Sequence, residues 1–324
     1  MENASKGLLI AAAVLIAILL VTISIKILSP ATGVLEDSEQ LGSAISSSSE
    51  GAVDKFQASV GGSKWTQNGT VVKKGSLTLE VGDYINYNSG VSDYTGTWRI
   101  LGVENNKLLI ISDKQVKQSV KLEGGNDYLN GITKLNNICS KYGNGKYAVG
   151  ARCINLEDVN RVTKYNPATS GNYATGISAY GNSVTYYIKD GKLAYTTTNG
   201  MVGGNFPLSF EMPDGRVLGE DIEQITVTSN YYCYKPNSLN DNAYETLFGF
   251  KASYWLATQV INPSGSGATF GIYMISNGQV NGNIILHRTN NDYGGIDGTN
   301  WVRAVVYLKS DIQLQKNGYT WEII

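Results

Sequence analysis

The chain has 324 residues, with Lys+Arg 26, Asp+Glu 27 and one histidine, for a formal net charge of -1. A chain so nearly neutral has no basic excess to meet a phosphate backbone, so nucleic acid is excluded as a partner. Charged residues make up 16%, against about 25% in ordinary soluble domains, while Gly, Tyr, Asn, Ser and Thr abound. That surface chemistry is common in secreted and cell-surface β proteins.

The first element is an apolar run from Gly7 to Leu28, GLLIAAAVLIAILLVTISIKIL. About 22 residues at 1.5 Å per residue span about 33 Å, the thickness of a bilayer's hydrocarbon core. It is too long for the 7–15-residue apolar core of a signal peptide and too uniformly apolar for a buried core helix. A retained membrane helix is the expectation. Pro30 removes a helical amide and predicts a kink there. Beyond it Leu35, Ser38, Gly42, Ile45, Ser49, Ala52 and Phe56 recur in steps of three and four, on one helical stripe. Small residues on that stripe let helices approach closely. Ser46 to Ser49 support the other reading, a solvated linker. The expected domains are 1–60, an N-terminal helix, and 65–324, an extracellular β-rich head.

An apolar helix, a proline near its end, an amphipathic continuation and a β-rich head together resemble the pilin-like class of surface proteins. The resemblance implies a structural subunit of a bacterial surface filament. It is anchored by a single membrane pass before assembly and self-associates through an assembly helix that includes Leu8, Leu15, Leu19, Leu35, Gly42, Ile45 and Phe56. Lys6-Gly7-Leu8 gives a basic-Gly-apolar processing arrangement. The class carries Glu at the fifth mature position, and cleavage after Gly7 would put Ala12 there. Either the chain is unprocessed and keeps Glu2, or the run is a plain anchor.

The head reads as strands with short helices. Ser76–Asn88 alternates Leu77, Leu79 and Val81 as a strand. Thr97–Val103 and Lys107–Ser112 flank Glu104-Asn105-Asn106, a hairpin signal. Tyr128–Tyr142 spaces Leu129, Ile132, Leu135 and Ile138 as a helix. Asn155 caps a second helix with Glu157 and Asp158 in its first turn. A hairpin is expected around Asp190-Gly191, a strand over 222–232 and a short helix over 243–250. Four strands, 254–260, 269–275, 279–286 and 301–308, close the chain, with Asn277-Gly278 turning between the second and third. The expected class is therefore α+β: an antiparallel, lectin-like head with short helices on a long N-terminal hydrophobic and amphipathic helix.

Tyr254-Trp255-Leu256-Ala257-Thr258, Gly278-Gln279-Val280 and Trp301-Val302-Arg303-Ala304-Val305-Val306 resemble a domain of bacterial surface proteins of unknown role. That domain is distantly similar to C-type-lectin-like and formylglycine-generating-enzyme-like folds. The resemblance spans about Leu77 to Ile312 and informs fold more than function. Proline usually follows the arginine of the closing motif, where this chain has Ala304. Trp255 and Trp301 read as core anchors, and Arg303 as either a buried ion-pair partner or an exposed residue.

Chemistry is sparse, and no enzyme is expected. His287 is the sole histidine, no Gly-x-Ser-x-Gly occurs, and no phosphate loop is present. Cys139 and Cys153 are a disulfide candidate: closing a loop of about 15 residues contributes roughly 3 kcal/mol in the chain-entropy model. The other reading is three reduced thiols, with Cys233. In Asn290–Asn300, Asp292 and Asp297 offer oxygens to Ca²⁺, although an Asx- and Gly-rich turn accounts for the same residues. Two functions compete: the filament subunit, and a membrane-anchored lectin-like adhesin that binds a host or neighbour-cell glycan or protein without polymerising.

Overall fold

The computed structural model describes residues 63–167, 181, 183–189, 192–198, 222–236, 239–264, 267–288 and 297–324, all within one unit, Ser63–Ile324. It begins with a meander of β1 (Trp65–Asn68), β2 (Val71–Lys74) and β3 (Leu77–Glu80). Gly82, at φ +98, breaks the expected 76–88 strand and starts β4 (Tyr84–Asn86) in another sheet. β5 (Trp98–Glu104) and β6 (Lys107–Ser112) form the expected hairpin. Asn105 and Asn106 both adopt positive φ, the backbone of a type I′ turn.

β7 (Lys117–Glu123) leads into α1 (Gly124–Ser140), a 3-10 turn (Lys141–Asn144) and β8 (Ala148–Cys153). α2 (Leu156–Thr163) starts at Asn155 with a reciprocal capping box to Asp158. β9 (Ser183–Lys189) and β10 (Lys192–Thr198) pair around 190–191, and β11 (Ile222–Thr228) joins them. α3 (Asp241–Leu247) is capped by Asn240. Then follow β12 (Tyr254–Ser264), β13 (Gly267–Ser276), β14 (Gln279–Arg288), β15 (Asp297–Val302), β16 (Ala304–Leu308), β17 (Leu314–Asn317) and β18 (Thr320–Ile323).

Two larger sheets hold the core. One orders its seven strands β17-β18-β4-β5-β6-β16-β8; the other orders five as β14-β13-β12-β15-β7. In β5 and β6 the apolar residues run consecutively rather than alternating, and Ile100, Leu101, Leu108, Leu109, Ile110 and Ile111 are fully buried. Strands covered on both faces lose the in-out alternation of a half-buried sheet. Burial of each such side chain contributes about 1.5–3 kcal/mol. Pairing is antiparallel except β18 with β4 and β12 with β15.

The expected 301–308 strand is two strands. β15 belongs to the five-stranded sheet, β16 to the seven-stranded one, and Arg303 is the single residue between them. The chain thus ties the sheets together at this point, with Val302, Ala304, Val305 and Val306 all fully buried.

The expected class is corrected. Among the described residues strands predominate, the α-helices number three, and none is long and apolar enough to cross a membrane. No long apolar helix is therefore part of the described fold. The apolar run and the residues assigned to the assembly helix, Leu8, Leu15, Leu19, Leu35, Gly42, Ile45 and Phe56, lie outside the described residues.

Candidate functional site

The C-terminal hairpin builds the candidate site. Asn317-Gly318 turns β17 into β18, with Gly318 at φ +62. β18 then lies parallel to β4, pairing Thr320 with Tyr84, Trp321 with Ile85 and Glu322 with Asn86. Strand alternation sorts these residues by face. Trp321 and Ile85 point inward and are buried, and Trp321 Nε1 donates to Asp83 Oδ2 at 3.0 Å. Thr320, Glu322, Tyr84 and Asn86 share the outer face. Together with Asn317 and Thr97 they line a groove of about 400 Å³.

Residues of β4 and β5 line the groove, and ring contacts brace it. Tyr87 and Trp98 meet edge-to-face at 5.3 Å, and Tyr87 donates to the Tyr142 carbonyl at 2.6 Å. Burial pushes the Tyr87 phenol up to about 12, so it stays a neutral donor. On the outer face Asn86 Nδ2 donates to Glu322 Oε2 at 3.0 Å. Arg99 stacks 4.2 Å from the Tyr84 ring and its guanidinium pairs with Asp113, which neutralises that charge locally. Tyr319, at the hairpin tip between two lining residues, is 94% exposed. The lining thus offers amides, hydroxyls and one carboxylate together with Ile85, Tyr87 and Trp98.

Two other polar clusters are internal supports. Arg303 is buried; Nε and Nη2 donate to the Ser112 carbonyl at 3.0 and 2.6 Å, and Nη1 donates to the Thr246 carbonyl. Its guanidinium lies 5.2 Å from the Phe250 ring and 5.3 Å from Tyr254. Neither alternative read from the sequence holds: Arg303 is buried, and among the described residues no carboxylate pairs with it. Arg152 instead grips Asp158 with two bonds of 2.6 and 2.8 Å and reaches Glu104 at 2.8 Å. Burial, opposed by this hydrogen bonding and charge, leaves the Arg152 guanidinium raised above its ordinary range.

Cys139 and Cys153 are buried free thiols, and the expected bridge is not formed. Their sulfurs contact the carbonyls of Arg303 and Trp255 at 3.7 and 3.8 Å. Burial, with the neighbouring Cys153 thiol, pushes Cys139 well up, so it is a poor nucleophile. The loop-closure argument concerns the unfolded chain and is blind to such an environment. Asp292 lies outside the described residues, and Asp297 is described only as backbone, pairing with Glu123. Among the described residues no three His, Cys, Asp or Glu side chains gather as a metal site. Trp255 is fully buried and donates to the Val120 carbonyl at 2.8 Å, whereas Trp301 is half-buried against Phe250.

The groove residues carry a signal in the sequence itself. Asn317-Gly318 between LQK and TWEI is an Asn-Gly turn between strand-forming residues. No protein-family model, curated protein or solved structure matches the chain. The pilin-like and lectin-like resemblances therefore rest on the sequence alone.

Proposed function

We propose that residues 63–324 form a non-catalytic binding module, displayed at the cell surface, that takes a saccharide in the groove between β4, β5 and the β17–β18 hairpin. The observation that carries this reading is an exposed aromatic ring, Tyr319, on the turn between Asn317 and Thr320, two residues of a groove that amides and hydroxyls help to line. Sugars present hydroxyls that need paired donors and acceptors, and C–H faces that stack on aromatic rings. The lining holds one carboxylate, Glu322, whereas glycoside hydrolysis ordinarily uses two; this favours binding over turnover. The low charge of the whole chain fits a neutral, hydroxyl-rich ligand. The filament expectation rests on residues 1–62, and nothing in the described head bears on it.

The test is a glycan array probed with the full chain and with Tyr319→Ala. Retention of a defined saccharide class, weakened about tenfold by losing one stacked ring of about 1.4 kcal/mol, is expected. Tyr319 is exposed at a turn, so its loss leaves the fold intact. An array on which the two proteins give the same profile, or none, removes the reading.

A further inference from the structure

Resting on the saccharide reading, we infer that the groove prefers an amino sugar with a free ammonium group, and that Glu322 is the residue that selects it. The charges around the groove are unequal in availability. Among the described residues Arg99 is a cation on the same sheet face, and it is occupied: its Nε pairs with Asp113, its Nη2 donates to the Tyr84 hydroxyl, and its plane covers the Tyr84 ring. Lys316 pairs across the hairpin with Trp321 and lies over that ring at 5.4 Å, on the opposite face of the strand from Glu322. Neither cation is placed to neutralise Glu322.

Among the described residues the Glu322 carboxylate makes one hydrogen bond, accepting from the amide of Asn86 at Oε2. That bond fixes the carboxylate's orientation and leaves Oε1 to a ligand. The remaining polar side chains of the lining, Asn86, Thr97, Asn317, Thr320, Tyr84 and Tyr87, carry no formal charge, and Ile85, Gly96 and Trp98 complete it. The groove therefore carries one uncompensated negative charge in an otherwise neutral, hydroxyl-matched surface. An ammonium in place of a sugar hydroxyl gains a charge-assisted bond to Oε1. A uronic or sialic acid meets repulsion at the same point.

Ligand-observed NMR titration of the full chain at pH 6 tests this, with a glucosamine disaccharide, its N-acetylated counterpart and a glucuronate-containing disaccharide. At 50 mM salt the glucosamine disaccharide should bind about fivefold tighter than the N-acetylated one, the effect of one unit-charge contact near 4 Å in water. The glucuronate should bind weakest, and 0.5 M salt should shrink the differences. Glu322→Gln keeps the Asn86 contact and the shape; it should equalise the two glucosamine ligands. Equal binding of all three by the wild type, or unchanged selectivity in Glu322→Gln, overturns the inference while the saccharide reading stands. Binding of none of them at millimolar concentration, with a blank glycan array, overturns both.

Discussion

Arg303 and Arg152 flank the same short strand: Arg303 enters β16, and Arg152 pairs with Val305 of β16 from β8. One guanidinium is fully buried and bonded to carbonyls and ring faces; the other is partly exposed and bonded to carboxylates. Helix polarity accounts for much of the difference. Thr246, the acceptor of Arg303, lies in the last turn of α3, where helix carbonyls lack intrahelical partners. A cation at a helix C-terminus is also favoured by the helix dipole. Asp158, the acceptor of Arg152, sits in the first turn of α2, where an acid caps free amides. A guanidinium at the negative end of a helix can thus be held by carbonyls, whereas one at the positive end is held through an interposed acid.

The sharpest way to break this comparison is at the sheet junction. Arg303→Met leaves the Ser112 and Thr246 carbonyls unpaired in the core at about 1–3 kcal/mol each, so a loss of about 3–5 kcal/mol is expected. Arg303→Lys should recover little of it, because one ammonium cannot reproduce the planar fork that spans both carbonyls. Urea denaturation of the three proteins measures this. A lysine variant within about 1 kcal/mol of wild type would show that charge alone, rather than fork geometry, holds the junction.

Each arginine also has a tyrosine, and their alkaline behaviour separates the two regions. Burial pushes Tyr254 up from 10.0 to about 12, with Arg303 opposing the shift. Tyr307 is also raised by burial, with Arg152 opposing. For Tyr254 the unfolded phenol loses its proton first. Above pH 10 the unfolded state therefore binds fewer protons than the folded one, and stability falls as pH rises. The contribution is intact below pH 10 and lost by about pH 12, on the order of 1 kcal/mol per pH unit, or roughly 3 kcal/mol in all. Tyr254→Phe forfeits the 2.6 Å bond to the Leu247 carbonyl, about 1 kcal/mol at pH 7, but should flatten the alkaline slope. Urea melts between pH 8 and 12 compare the slopes. An unchanged slope in Tyr254→Phe would place the titrating group elsewhere.

What was legible in the sequence follows the strength of local signals. The β5–β6 hairpin was written in Asn105-Asn106 between apolar runs, and α2 in Asn155 with Asp158. β3 was visible in the alternation of Leu77 and Leu79, but β1 and β2 were not: Val71 and Val72 stand among Gly, Lys and Thr, and only pairing across three short strands buries Val72. The division at Arg303 was hidden because WVRAVVYL reads as one continuous strand, and which sheet each half joins is decided by distant partners, Lys117–Glu123 for one and Lys107–Ser112 for the other. The groove was likewise out of reach. Asn86 and Glu322 are 236 positions apart in the chain and meet only through a parallel pairing that no local pattern announces.

The smallest expected effect tests the other end of the helix that serves Arg152. α2 starts at its capping box and stops at Lys164, an exposed residue with φ 56 and ψ 23, the left-handed conformation. A side chain there costs about 1–2 kcal/mol that glycine avoids. Two contributions of Lys164 oppose the gain from removing it. Its cation suits the helix C-terminus, by about 0.3–1 kcal/mol. Its methylenes also cover Gly69, where a Cβ would come within 2.7 Å of Lys164 Cε. Lys164→Gly should therefore change stability by well under about 1 kcal/mol. Lys164→Ala loses the cation and the methylenes yet keeps the strained Cβ. The difference between these two variants isolates the backbone term, and glycine should be the more stable by about 1 kcal/mol in urea denaturation. Equal stability would mean that the chain leaves α2 without the left-handed residue.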